Sequence, residues 1–254
     1  SNQRYNNSFI DFFGKEADEW DFIKEDSLEN KYNPSDDELL ERIRKVLDKD
    51  YSKLFIVLHT YGSHFNYKER YPLSTAEYKP DNAIAAEYKY REELVNAYDN
   101  TIRYTDYFLA QLILMLDEKE TQSGLVYISD HGEDIYDDER QLFLHASPIP
   151  SYYQLHVPFL LWMSNKYQEH FPEYLAAAKC NSLKPVSSNS VFHTVLSLGG
   201  IDTRFRKDSL SVVSRFFTEK SRFYLNDHNL PKPLNDIGLK KEDFYMFKKM
   251  NCGL

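Results

Sequence analysis

The chain has 254 residues and a formal net charge of −9, from 31 Lys and Arg against 40 Asp and Glu. That length buries a core for one large or two small domains, and the acidic balance, with no Lys/Arg-rich stripe, excludes nucleic acid as the natural partner. No apolar run approaches the roughly 18 residues needed to span a bilayer, and no signal-peptide pattern opens the sequence, so the polypeptide as it stands reads as soluble.

Residues 1–35 are polar and turn-rich, with apolar clusters at 9–13 and 20–23. Pro34-Ser35-Asp36-Asp37 reads as a cap leading into a helix over Glu38–Leu47. Residues 54–58, Leu-Phe-Ile-Val-Leu, form a short continuous apolar run that reads as a buried strand. His59-Thr60-Tyr61-Gly62-Ser63-His64 follows, and an aromatic and polar loop extends from Gly62 to about Asn82. A loop that long inside a domain is usually functional or mobile. A long helix is expected over about 85–118, with Leu94, Tyr98, Ile102, Thr105, Leu109, Leu112 and Leu116 on its apolar face. Residues 125–129 read as a second strand closing a βαβ-like unit, and 157–163 as a third apolar run after Pro148 and Pro150. A helix over 187–198 stops at Gly199-Gly200, and 223–225 form a final strand. Alternating strands and helices make the fold class α/β.

The chemistry collects where apolar runs end. The first run leads into His59 and His64, and the second into Asp130-His131-Gly132-Glu133, with His145 further on. Ligands of open α/β sheets bind beyond the carboxyl ends of the strands, and imidazole and carboxylate are donors that suit zinc. Adjacent Asp130 and His131 reach one ion only if the chain turns there, which Gly132 allows; Gly62 does the same between His59 and His64. The alternative for the second motif is that Ser129 or Asp130 caps a helix, with Glu133 as its capping-box partner. His156 and His193 read as packing or hydrogen-bonding residues, and His170 and His228 as solvated. Asp99, Arg103 and Asp106 fall at ion-pair spacing on the polar face of the long helix. Cys180 and Cys252 form no metal motif and allow one disulfide at most.

Several blocks resemble the bacterial phosphoethanolamine transferases in order and spacing, over about residues 50–165. They are Phe55 to His64 closing on Glu69-Arg70-Tyr71-Pro72, Tyr98-Asp99-Asn100-Thr101-Ile102-Arg103-Tyr104-Thr105-Asp106, Tyr127-Ile128-Ser129-Asp130-His131-Gly132-Glu133, Leu144-His145, and His156-Val157-Pro158. The resemblance implies an alkaline-phosphatase-like (sulfatase-like) α/β fold, with 1–254 forming the C-terminal portion of a catalytic domain whose N-terminal part is missing. It implies a zinc-dependent transferase at the periplasmic face of the inner membrane, reaching the membrane through a segment absent from this chain. Such an enzyme moves phosphoethanolamine from a phospholipid donor to lipid A or another envelope glycan through a phospho-threonine intermediate. Carried over by position, Asp130 and His131 hold the main zinc, while His64 and His145 hold the donor phosphate or a second metal, with His59 beside them.

No threonine here lies in a segment matching the family's nucleophile, so the chain alone is expected to be inactive, and either to self-associate through surface left uncovered or to cover part of it with the apolar clusters at 9–13 and 20–23. The competing expectations are phosphoglycerol transfer or sulfate-ester hydrolysis on the same fold, and a non-catalytic metal-binding domain.

Overall fold

The computed structural model describes residues 14–23, 34–145, 147–225 and 230–250. The apolar cluster at 9–13, His228 and Cys252 lie outside them. The described chain divides into two units, residues 1–115 and 116–254.

In the first unit, helix α1 spans Glu38–Leu47, as expected, and buries Leu39, Leu40 and Ile43. Glu38 and Glu41 in its first turn and Arg44 and Lys45 in its last complement the helix dipole. The predicted cap is used differently: Asp37 makes no side-chain capping bond, and Asp36 instead accepts from the backbone N–H groups of Tyr61 and Gly62, both at 2.8 Å. Asp36 thereby fixes the turn at Gly62, whose φ of 55° is the left-handed conformation expected of that glycine.

Residues 54–58 do not form a strand. They have no ladder partner among the described residues, and Phe55 and Val57 are 74% and 73% exposed. An apolar run satisfies its backbone as a strand only where another strand lies alongside.

Helix α2 spans Arg91–Glu118, preceded by a single 3-10 turn at Tyr88–Tyr90, and its last three residues fall in the second unit. It begins six residues later than the periodicity suggested. Its buried positions are Leu94, Ala97, Asn100, Thr101, Tyr104, Phe108, Leu112 and Met115, while Ile102 is exposed. The inward face is rotated from the predicted one because two polar residues turn inward to hold the preceding loop. Asn100 accepts from the N–H groups of Glu77 and Tyr78 and donates to the Tyr78 carbonyl, at 2.9–3.0 Å. Thr101 donates to the Ser63 hydroxyl at 2.6 Å. Buried Tyr71 donates to Asp81 at 2.8 Å in the same network. The 62–82 loop is therefore built onto the helix. Arg103 serves it too, through the Thr75 carbonyl at 2.7 Å and Glu77 at 3.5 Å, rather than pairing with Asp99 or Asp106.

In the second unit, β1 (Gly124–Ile128) and β4 (Phe159–Met163) pair antiparallel, Gly124 opposite Met163 and Ile128 opposite Phe159. With no strand at 54–58 the expected βαβ-like unit is not formed among the described residues, and β1 pairs instead with the third apolar run, with the short hairpin β2 (Asp134–Ile135) and β3 (Phe143–Leu144) and helix α3 (Tyr152–Leu155) between the two strands. Helix α4 (Asn165–His170) is capped by the Ser164 hydroxyl, which accepts from Tyr167 N–H at 3.3 Å. Helices α5 (Pro172–Asn181) and α6 (Ser190–Leu198) follow, the latter closed by Gly199 and by Gly200 at φ 62°. Met163, Tyr167, Val212, Val213 and Phe217 form the main core of this unit. Strand β5 (Phe223–Leu225), found where expected, pairs with β6 (Pro231–Pro233). Helix α7 (Lys241–Lys249) closes a second, smaller core of Tyr152, Leu239 and Phe247. Among the described residues no helix is long and apolar enough to cross a membrane.

Candidate metal centre

Strand β1 delivers the chain to Ser129, whose hydroxyl donates to the His131 carbonyl at 2.7 Å and bends the backbone back. His131 N–H donates to Asp130 Oδ1 at 3.0 Å, and Gly132 N–H donates to the Gln154 carbonyl at 2.9 Å. No helix starts here, so the capping-box alternative for Glu133 falls: Asp134 opens β2 instead. Gly132 does not use a left-handed φ. Its role is close approach, since a Cβ there would lie 2.0 Å from the Tyr153 carbonyl oxygen.

The hairpin register then brings three candidate ligands together. Asp134 lies opposite Leu144, so the next residues outward, Glu133 and His145, face one another. His145 Nδ1 is 2.8 Å from Glu133 Oε1, and the His131 and His145 rings are 3.9 Å apart between centroids. One donor atom from each of His131, Glu133 and His145 falls within 4.8 Å of the others. Asp130 stands beside this trio with its carboxylate 86% exposed and 3.8 Å from His131 Nε2.

His131 Nδ1 lies 3.0 Å from the Gly132 carbonyl, which can only accept, so Nδ1 is the donor there and Nε2 is the nitrogen turned to a ligand. His145 Nδ1 faces the Glu133 carboxylate in the same way. His64 Nδ1 likewise faces the Phe65 carbonyl at 2.5 Å. An imidazole whose outer nitrogen is fixed by a carbonyl or carboxylate is oriented as metal ligands are. Two imidazoles and a carboxylate suit zinc by donor type. His131, His145 and Glu133 are the residues that would hold it, Glu133 either as ligand or as the group that orients His145.

Behind the centre, buried Asp134 accepts from the Ser151 hydroxyl at 2.6 Å and from the Gln154 side-chain amide. Burial raises its pKa, against the lowering effect of those two hydrogen bonds. In the sequence Glu133 stands in the Asp-His-Gly-Glu block with a capping-box role as its alternative, and Asp134 carries no assigned role. The Asp-His-Gly-Glu block signalled Glu133, but only the strand register shows which histidine it meets. His64 and half-buried His59 lie in the first unit. There Arg70 donates to the His64 carbonyl at 3.0 Å and covers the Tyr61 ring at 4.2 Å.

Two of the remaining described histidines do structural work. His193 accepts Lys207 N–H at 3.2 Å, and His156 stacks on Tyr152, its Nδ1 2.9 Å from the Tyr152 hydroxyl. His170 is exposed. Burial lowers the pKa of both His156 and His193, helped by the charges of Arg222 and Lys207 respectively. The unfolded chain therefore binds more protons than the native one below about pH 6.5. Stability should fall as pH drops from 7 toward 5, in urea titrations, and His193→Gln should flatten part of that slope. A stability independent of pH over that range would contradict the assignment.

With the geometry in place, the chain can be set beside known proteins. The Sulfatase family matches residues 1–201, and the chain belongs to that family. It is 37% identical over 145 residues to Kdo(2)-lipid A phosphoethanolamine 7''-transferase of Escherichia coli K12, covering 56% of this chain and 25% of that protein. To phosphoethanolamine transferase EptA of Escherichia coli O157:H7 it is 38% identical over 159 residues, covering 59% and 28%. The chain thus spans about a quarter of the length of these relatives. Among solved structures, the C-terminal periplasmic domain of EptC from Escherichia coli superposes with a TM-score of 0.72 at 25% identity, covering 93% of this chain and 67% of that one. The same domain in complex with zinc gives 0.65 at 27% identity, covering 80% and 58%. The fold is the sulfatase-like α/β fold that the motifs implied, and the chain's relatives are phosphoethanolamine transferases.

Proposed function

We propose that this chain supplies the metal and phosphate machinery of a zinc-dependent phosphoethanolamine transferase working at the periplasmic face of the inner membrane. The observation that carries the reading is the meeting of His131, Glu133 and His145 at the Asp-His-Gly-Glu turn, in a chain of the Sulfatase family. His131 acts as a zinc ligand, and Asp130 beside it is the further ligand that the sequence resemblance implies. His145, held by Glu133, offers Nε2 as a further ligand or, when protonated, as a cation for a phosphoryl oxygen. His64 holds the donor phosphate or a second metal, the role that the sequence resemblance implies, with His59 beside it.

Zinc, when bound, supplies Lewis-acid stabilisation of negative charge on the phosphoryl group. The protein's own part is positioning and charge compensation, which dominate phosphoryl transfer because the charge spreads over the phosphoryl oxygens. The donor is a phospholipid and the acceptor lipid A or another envelope glycan. The group passes through a phospho-threonine whose threonine is not assigned in this sequence.

Expression of the full-length protein in a host with unmodified lipid A tests the reading. Mass spectrometry should show lipid A or a core glycan carrying phosphoethanolamine, and the modification should vanish with His131→Ala. Envelope glycans left unmodified by a zinc-loaded, membrane-inserted protein that instead cleaves sulfate esters would overturn it.

A further inference from the structure

Arg140 and Asp243 tie the C-terminal helix to the hairpin that carries the metal-binding side chains. Arg140 lies between β2 and β3. Its Nη1 and Nη2 donate to the two carboxylate oxygens of Asp243 at 2.9 and 2.8 Å, and its Nε donates to Asp138 at 3.0 Å. The fork is bidentate, a geometry that lysine cannot copy.

Asp243, near the start of α7, is fully buried. Its carboxylate also accepts from the N–H groups of Tyr152 and Lys240, each at 2.8 Å. One buried carboxylate thus gathers the hairpin connection, the first residue of α3 and the start of α7. Helix α3 passes the constraint on: the Gln154 carbonyl receives Gly132 N–H, and Ser151 and Gln154 side chains hold Asp134. Gly132 and Asp134 are the two neighbours of Glu133.

Two strands of two residues each cannot order themselves. The relative placement of Glu133 and His145 therefore draws on support from outside the hairpin, and these contacts reach it. Helix α7 lies beyond the residues 1–201 matched by the Sulfatase family.

We propose that the Arg140–Asp243 pair is a positioning device for the Glu133–His145 side of the metal centre, so that α7 forms part of the site's support. The proposal rests on the metal-binding reading above. The partners that orient ligands typically govern metal affinity by about 10–100-fold.

The test is zinc affinity by chelator competition, on the wild-type chain and on Arg140→Lys, Asp243→Asn and Tyr167→Phe. The last removes a hydroxyl that donates to the Leu198 carbonyl at 2.7 Å in the other core, and serves as a control for general destabilisation. Arg140→Lys and Asp243→Asn should weaken zinc about 10-fold or more in protein with native far-UV circular dichroism, with faster amide exchange at Leu144 and His145. Tyr167→Phe should lower the thermal midpoint and leave zinc affinity unchanged. If Asp243→Asn fails to fold, Arg140→Lys carries the comparison. Wild-type zinc affinity in Arg140→Lys, or an equal loss in Tyr167→Phe, would overturn the proposal and leave the metal reading standing. A wild-type chain that binds no zinc would remove both.

Discussion

A His131→Ala protein should lose zinc affinity by more than about 100-fold while keeping its fold. Changes to groups that merely orient a ligand already cost 10–100-fold, and His131 is a ligand itself in this account. The change leaves the fold intact because the imidazole is partly exposed and bonds only its own loop, through Nδ1 to the Gly132 carbonyl at 3.0 Å. In the full-length protein, turnover should disappear with the metal. His64→Ala should damage phosphoryl transfer more than it damages retention of the main zinc, and His145→Ala should weaken both. His193→Ala should act through stability alone, by about 1 kcal/mol, because it removes the acceptor of Lys207 N–H and a buried ring. Isothermal titration with zinc and a donor-ester assay measure both properties. Equal activity losses for His193→Ala and His131→Ala would remove the distinction between the two histidines.

Gly132→Ala should be the most disruptive single methyl group in the second unit. The new Cβ would stand 2.0 Å from the Tyr153 carbonyl oxygen and 3.2 Å from its carbon. Both are backbone atoms of a short helix, so no side chain can swing away. Either α3 moves, breaking the Gln154 bonds to Gly132 and Asp134, or the loop moves and carries His131 from His145. Overpacking typically costs 1–3 kcal/mol, and about 3 kcal/mol is expected here, with zinc affinity falling alongside. Urea denaturation and zinc titration of the same preparation check it. A Gly132→Ala protein of wild-type stability and affinity would mean that this turn does not hold the centre.

The helices at Glu38–Leu47 and Ser190–Leu198 were legible because their apolar spacing agrees with their packing, and the second because its glycine stop holds. Helix α2 was legible in extent but not in face. Asn100 and Thr101 are polar by composition and inward by function, and only the loop they hold explains the rotation. Periodicity reports burial, not hydrogen-bond demand. Residues 54–58 mark the opposite failure: the run has strand composition, but a strand is defined by its neighbour, and its composition is silent on the neighbour.

The site was legible as a set of residue types and as a family motif. Asp130, His131 and His145 were named from sequence, and the fold brings His131 to His145. Glu133 as the partner of His145 was not legible, because a hairpin with two-residue strands leaves no alternating pattern from which to read a register. The support from Arg140 and Asp243 spans 103 positions in sequence, beyond the reach of any local signal.

Anomalous diffraction at the zinc edge, from crystals of the zinc-loaded protein, tests the central claim most directly. The account predicts a peak within about 2.0–2.2 Å of an imidazole nitrogen of His131, with His145, Glu133 or Asp130 completing the protein ligands. Zinc confined to other residues, with the His131 and His145 nitrogens unligated, would contradict it.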